Sequence, residues 1–341
     1  MVLRRRLWRS LTAQVILVGS AVLLSACGSG GTNTITVYNG QHLQLTHALA
    51  LAFEKRTGID VKVRSDDAIV LANQILVEGS RSPADVFMTE NSPELILLSE
   101  QSMLEKLPAA TLAEVPSRYN SPTGNWVGVS LRVGGLAYNP SRIEASQLPA
   151  SVLDLAMPEW KGKLAISPTD SDFVPLVGAV IATEGRAAAK RWLEGLRDNT
   201  AFYQDAEAVV VAVNRGRAAV GIVNAYYWYR LRLELGEDGM HSKLYFFPHR
   251  DVGGLENIAG AAVLSSAKNK ADAEEFVAFL VSAVAQRILT AGNTYEYPTH
   301  PGIAPNPALP PLSALKPSII DVIRLGNDRA AAVLLQEVGL T

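Results

Sequence analysis

Two tyrosines in succession, Tyr226 and Tyr227, stand in the run Asn224-Ala225-Tyr226-Tyr227-Trp228-Tyr229, in a chain only 7% aromatic. Successive side chains on a strand point to opposite faces. Both rings therefore reach one site only where the backbone turns, as where a strand hands over to a helix. A phenol titrates near about pH 10, so at neutral pH only a strong Lewis acid keeps it ionised. The hard, trivalent ferric ion does this well, because hard oxygen anions suit hard cations. The plainer account is that the two rings are packing aromatics with hydrogen-bonded hydroxyls, the role expected of Trp228 and Tyr229.

The elements around the dyad decide between these accounts. Ile35-Thr36-Val37-Tyr38 reads as a first strand, with a helix from Leu43 to Arg56 and a second strand at Ile59–Val63. A helix from Leu71 to Glu78, a third strand at Ala84–Met88 and a helix from Ser92 to Gln101 follow. Alternating strands and helices predict an α/β fold with a largely parallel sheet. Trp126 to Tyr138 reads as strand broken at Gly134-Gly135, where the chain is expected to cross to a second lobe. Leu164–Ser167 is a strand, Phe173–Thr183 and Gly185–Gly195 are helices, and Ala219–Val223 is a buried strand leading into the dyad. Ala259–Ser265 is a strand, Lys270–Ala291 one amphipathic helix, Pro298–Pro317 a surface connection and Ser318–Glu337 a terminal helix.

Ligands in such sheets collect at the carboxyl ends of strands. Three candidate groups fall there: His42 after the first strand, Glu90 after the third, and the tyrosine pair. Singly each has a plainer reading, His42 as a loop histidine and Glu90 as a companion of a helix start capped by Asn91 or Ser92.

Residues 1–27 read as an export signal: Arg4, Arg5, Arg6 and Arg9, an apolar run from Leu11 to Leu24, then Leu24-Ser25-Ala26-Cys27. The last four resemble a bacterial lipobox, making Cys27 the lipidated first residue of the mature chain and residues 28–33 a tether. It is the single cysteine, so disulfides and thiolate chemistry are excluded. The net charge of −2 becomes more negative when the basic signal is removed, which gives no support to a nucleic-acid partner.

Ile35 to His42, Pro83-Ala84-Asp85-Val86-Phe87 leading to Thr89-Glu90, and Asn224 to Tyr229 together resemble the periplasmic ferric-binding proteins, or bacterial transferrins. So do Pro158-Glu159-Trp160-Lys161-Gly162-Lys163, Gly260-Ala261-Ala262-Val263-Leu264 and Ala267-Lys268-Asn269. The resemblance implies the type II periplasmic binding fold, two α/β lobes joined by hinge strands with a ligand cleft between them. It implies an N-terminal lobe of residues 34–133 and 257–305 and a C-terminal lobe of 134–256 and 306–341. His42 and Glu90 would ligate Fe³⁺ from the first lobe and Tyr226 and Tyr227 from the second, leaving two positions of an octahedron. An ABC permease and its ATPase would be the partners of a monomer anchored by lipid outside the cytoplasmic membrane, in the periplasm or at the cell surface.

Family members commonly fill the two remaining positions with a synergistic anion such as phosphate. This sequence departs from that pattern. Ser167-Pro168-Thr169-Asp170-Ser171-Asp172-Phe173 has acids where small neutral residues are usual, and Ala206 stands where an anion-contacting Asn is expected. Asn91 and Asn224 could still donate to an anion. Like charges repel, so Asp170 or Asp172 is expected either to ligate iron or to displace the anion, unless one of them only caps the helix near Phe173. The same fold carrying a chelated metal, a polyamine or a small anion is the alternative. An enzyme is disfavoured, since neither a His-rich nor a Ser-His-Asp pattern is present.

Overall fold

The computed structural model describes residues 33–341. The signal segment, Cys27 and the tether up to Thr32 lie outside the described residues. Among the described residues, no helix is long and apolar enough to cross a membrane.

Among the described residues, ten strands form one mixed sheet: β1 (Thr34–Gly40), β2 (Asp60–Ser65), β3 (Val86–Thr89), β4 (Val127–Tyr138), β5 (Leu164–Ile166), β6 (Thr200–Phe202), β7 (Val220–Asn224), β8 (Lys243–Tyr245), β9 (Glu256–Val263) and β10 (Tyr297–Pro298). The order is β2-β1-β3-β9-β4-β7-β5-β6, with β8 and β10 also on β4. β1, β2 and β3 run parallel, as do β5, β6 and β7. β9 and β4 run antiparallel to their neighbours in the centre.

β4 differs from its expected form. It is one unbroken strand of 12 residues, pairing with β9 through Val133 and with β7 from Gly134 onward. The two glycines admit neighbours rather than break the strand. A Cβ on Gly134 would lie 2.7 Å from the Gly253 carbonyl oxygen, and one on Gly135 would lie 2.7 Å from that of Tyr245.

One apolar core gathers around β1, β3, β9 and the first half of β4, where Phe53 packs edge to face on Phe276. A second gathers around β5, β7 and the far end of β4, with Trp160, Trp192 and Leu334. Two helices also depart from the sequence reading. The stretch from Lys270 to Ala291 is two helices, Lys270–Val281 and Ala283–Ala291, because Ser282 turns extended (ψ 155°) and its hydroxyl accepts the Ala285 N–H at 3.4 Å. The terminal helix is confined to Arg329–Glu337, preceded by Asp328 at φ 61°. A helix at Ala206–Asn214 was not foreseen. Its N-terminus opens on the site.

Candidate metal centre

β1 delivers His42 through a tight turn. The Asn39 side chain donates to the Gln41 carbonyl at 2.7 Å and accepts from the Gln41 N–H at 3.2 Å and the Thr46 hydroxyl at 2.8 Å. Gly40 lies against Ala68, where a Cβ would meet the Ala68 Cβ at 2.6 Å. His42 then occupies the position before the helix Leu43–Thr57. Glu90 sits between β3 and the helix Ser92–Glu100. The tyrosines occupy the first turn of the helix Ala225–Leu235, directly after β7. The change from strand to helix turns both rings to one side, with centroids 4.0 Å apart.

The candidates meet. The His42 and Tyr226 rings are edge to face at 5.1 Å, and His42 Nδ1 lies 3.3 Å from Glu90 Oε1. Trp228 and Tyr229 turn away, Trp228 donating to the Ser242 hydroxyl at 3.1 Å and Tyr229 packing in the first core.

Two charged groups not foreseen complete the arrangement. Arg132, on β4 and fully buried, lies 3.1 Å from Glu90 Oε2 and 3.2 Å from Asp172 Oδ1, and donates to Asn91 Oδ1 at 2.9 Å and to the Glu90 carbonyl. Glu296, just before β10, lies 3.1 Å from His42 Nδ1 with no side-chain exposure. Each had a signal in the sequence. Arg132 is a lone charge within an apolar strand, and Glu296 is a lone acid between Tyr295 and Tyr297 ahead of a proline.

Asp170 and Asp172 take different parts. Both Asp170 oxygens accept backbone N–H groups, from Asp172 and from Ala206, each at 3.0 Å. Asp172 stands at the start of the helix Phe173–Glu184 without capping it, and its Oδ2 is buried with no partner. The Asn91 amide is already engaged, donating to the Ser171 carbonyl at 3.0 Å and to Asp172 Oδ1 at 3.4 Å. Asn224 Oδ1 is buried and unpartnered, as are Ser167 Oγ and Asn257 Oδ1. These groups and Asp172 line a cavity of about 30 Å³, room for an ordered water.

Burial pushes both phenols above their ordinary pKa, and the nearby charges of Asp172 and Glu90 add to the effect. Burial also raises Glu90, against the opposing pull of Arg132 and His42. Burial would lower His42, but the adjacent carboxylates of Glu296 and Glu90 raise it overall. Asp170 is pushed up to about 7 by burial and by the charge of Asp172. Among the described residues, no three His, Cys, Asp or Glu side chains form a metal site by themselves. A metal held here needs the phenols, and it must be acidic enough to displace their protons. Two clefts flank the cluster. One is lined by His42, Tyr227 and Arg230, the other by Glu90, Asn91 and Asp170.

Residues 81–317 match the family model described as bacterial extracellular solute-binding protein. The Fe(3+)-binding periplasmic protein of Serratia marcescens is 38% identical over 328 residues, covering 96% of this chain and 97% of its own length. The major ferric iron-binding protein of Neisseria meningitidis serogroup B is 39% identical, covering 90% and 93%. Iron-bound HitA from Pseudomonas aeruginosa superposes with a TM-score of 0.87 at 40% identity, over 90% of this chain and all of that one. The fold is therefore the expected type II periplasmic binding fold, with two α/β lobes and a cleft between them. With the family model spanning most of the chain and relatives of this closeness matching nearly its whole length, the chain belongs to the bacterial extracellular solute-binding proteins.

Proposed function

We propose that this protein captures Fe³⁺ in the cleft between its lobes, outside the cytoplasmic membrane, and delivers it to an ABC permease driven by its ATPase. Like its relatives, it is a binding protein and not an enzyme. The observation that carries the reading is the meeting of two adjacent phenols, an imidazole and a carboxylate delivered by three separate strand ends. Tyr226, Tyr227 and Glu90 supply three negative charges to neutralise the ion, and His42 supplies a neutral donor. The lobes are residues 34–133 with 257–305 and 134–256 with 306–341, so iron needs both and favours the closed form. Lipid on Cys27 holds the protein, as a monomer, at the membrane surface.

Asp172 rather than Asp170 is the acid that completes the shell or takes the place of a co-bound anion. Asp170 has both oxygens committed to backbone N–H groups, whereas Asp172 keeps one free. The test is a visible absorption titration of the chain from Gly28 onward with ferric citrate, with and without phosphate. A one-to-one coloured complex, indifferent to phosphate and lost in Tyr226→Phe and Tyr227→Phe, is the expected outcome. No colour under any condition would overturn the iron reading and leave a binding protein for another ligand.

A further inference from the structure

We infer that Glu296 is a positioning residue for His42, holding the imidazole with Nδ1 protonated and Nε2 free to ligate, while Glu90 is the carboxylate that leaves the imidazole for the metal. The inference rests on the ferric reading above, since it divides labour within that site.

His42 Nδ1 faces three oxygens: Gln41 Oε1 at 2.6 Å, Glu296 Oε1 at 3.1 Å and Glu90 Oε1 at 3.3 Å. All three are acceptors. The Gln41 amide has its orientation set at both ends, because the His42 backbone N–H donates to Oε1 at 2.7 Å and its own Nε2 donates to Glu296 Oε2 at 3.3 Å. A ring nitrogen surrounded by acceptors carries the proton, and in a neutral imidazole the other nitrogen then offers its lone pair.

The two carboxylates are held differently. The Glu296 side chain has no exposure, and its Oε2 accepts from Gln41 and from the Ser130 hydroxyl on β4. It is fixed to the sheet. The Glu90 side chain is 17% exposed, lines the larger of the two clefts, and has Arg132 as its other partner. When a cation draws Glu90 away, Glu296 remains on Nδ1. An imidazole whose distal N–H is held by a fixed acceptor is both oriented and made a better donor, the more so with a carboxylate charge beside it. Nδ1 makes its hydrogen bond to Gln41 Oε1, and Glu296 Oε1 beside it makes none of its own, so Glu296 acts through its charge at 3.1 Å and by holding the Gln41 amide.

The experiment compares wild type with Glu296→Gln and Glu296→Leu. One arm is long-range ¹H–¹⁵N NMR of the metal-free proteins at a pH where the His42 ring is neutral. The other is ferric titration followed by visible absorption. The expected wild-type ring is a single tautomer with Nδ1 protonated. Glu296→Leu should mix the tautomers and weaken ferric binding roughly 10–100-fold, the usual span for losing such a partner, with Glu296→Gln intermediate because it keeps an acceptor oxygen. Unchanged tautomer and affinity in the variants would overturn the inference, as would a lower melting temperature without either change. If Glu296→Leu fails to fold, Glu296→Gln decides on the same two readouts. A wild type that gives no colour sinks the iron reading, and the tautomer arm still tests the assignment of Glu296.

Discussion

At the scale of single residues, the site is a set of groups that burial makes reluctant to ionise. Both phenols sit above their ordinary pKa, so loading a metal must expel their protons, and affinity should fall as pH falls. A titration at several pH values checks this, with a proton release that shrinks in Tyr227→Phe. Asp172→Asn removes the negative charge beside Arg132 and should make ferric binding respond to added phosphate; continued indifference would return Asp172 to a purely structural role. Glu94, buried beside Thr89, is pushed up to about 7 by burial. A carboxyl raised in the folded state holds its proton more tightly there than in the unfolded chain. Its contribution is present at acid pH and lost as pH rises from about 4.5 through about 7. The melting temperature of the metal-free protein should therefore decline over that window, and Glu94→Gln should flatten the decline.

The elements matter here chiefly through their ends. His42 is aimed by the Asn39 turn and by the close approach of Gly40 to Ala68. Gly40→Ala would force those backbones apart, destabilising by about 1–3 kcal/mol as overpacking does, and should weaken ferric binding because the displaced turn carries the ligand. Calorimetry and the absorption titration together check it. Much at this scale was legible beforehand. The strand-to-helix handover after Val223 was readable because adjacent tyrosines demand it, and His42 and Glu90 because they follow apolar strands. What escaped notice was non-local. Arg132 and Glu296 are 164 residues apart in neither one motif nor one element, and only the pairing of β10 with β4 brings Glu296 to Ser130. The unbroken β4 escaped for a similar reason, since Gly134 and Gly135 read as breakers until the carbonyls of Gly253 and Tyr245 arrive beside them. Ser282 alone gave no sequence warning that it would divide a helix whose apolar spacing continues across it.

For the whole molecule, the bonds from Asn91 to Ser171 and from Arg132 to Asp172 join segments that the proposed lobe division assigns to opposite sides of the cleft. Removing one should favour the open form when no metal is bound. Asn91→Ala is expected to raise the radius of gyration of the metal-free protein in small-angle scattering, while ferric ion restores the wild-type value; equal radii without metal would show that these bonds do not govern closure. β9 has a further consequence, in time rather than in space. The core around β1 and β3 is completed by β9 and by the helices Lys270–Val281 and Ala283–Ala291, so its contacts join segments as far apart as Val86 and Val263. Contacts so distant along the chain slow folding. Until β9 has been made, β3 keeps an unpaired edge open to other chains. The nascent protein therefore cannot finish its first core until the helices Lys270–Val281 and Ala283–Ala291 have been made.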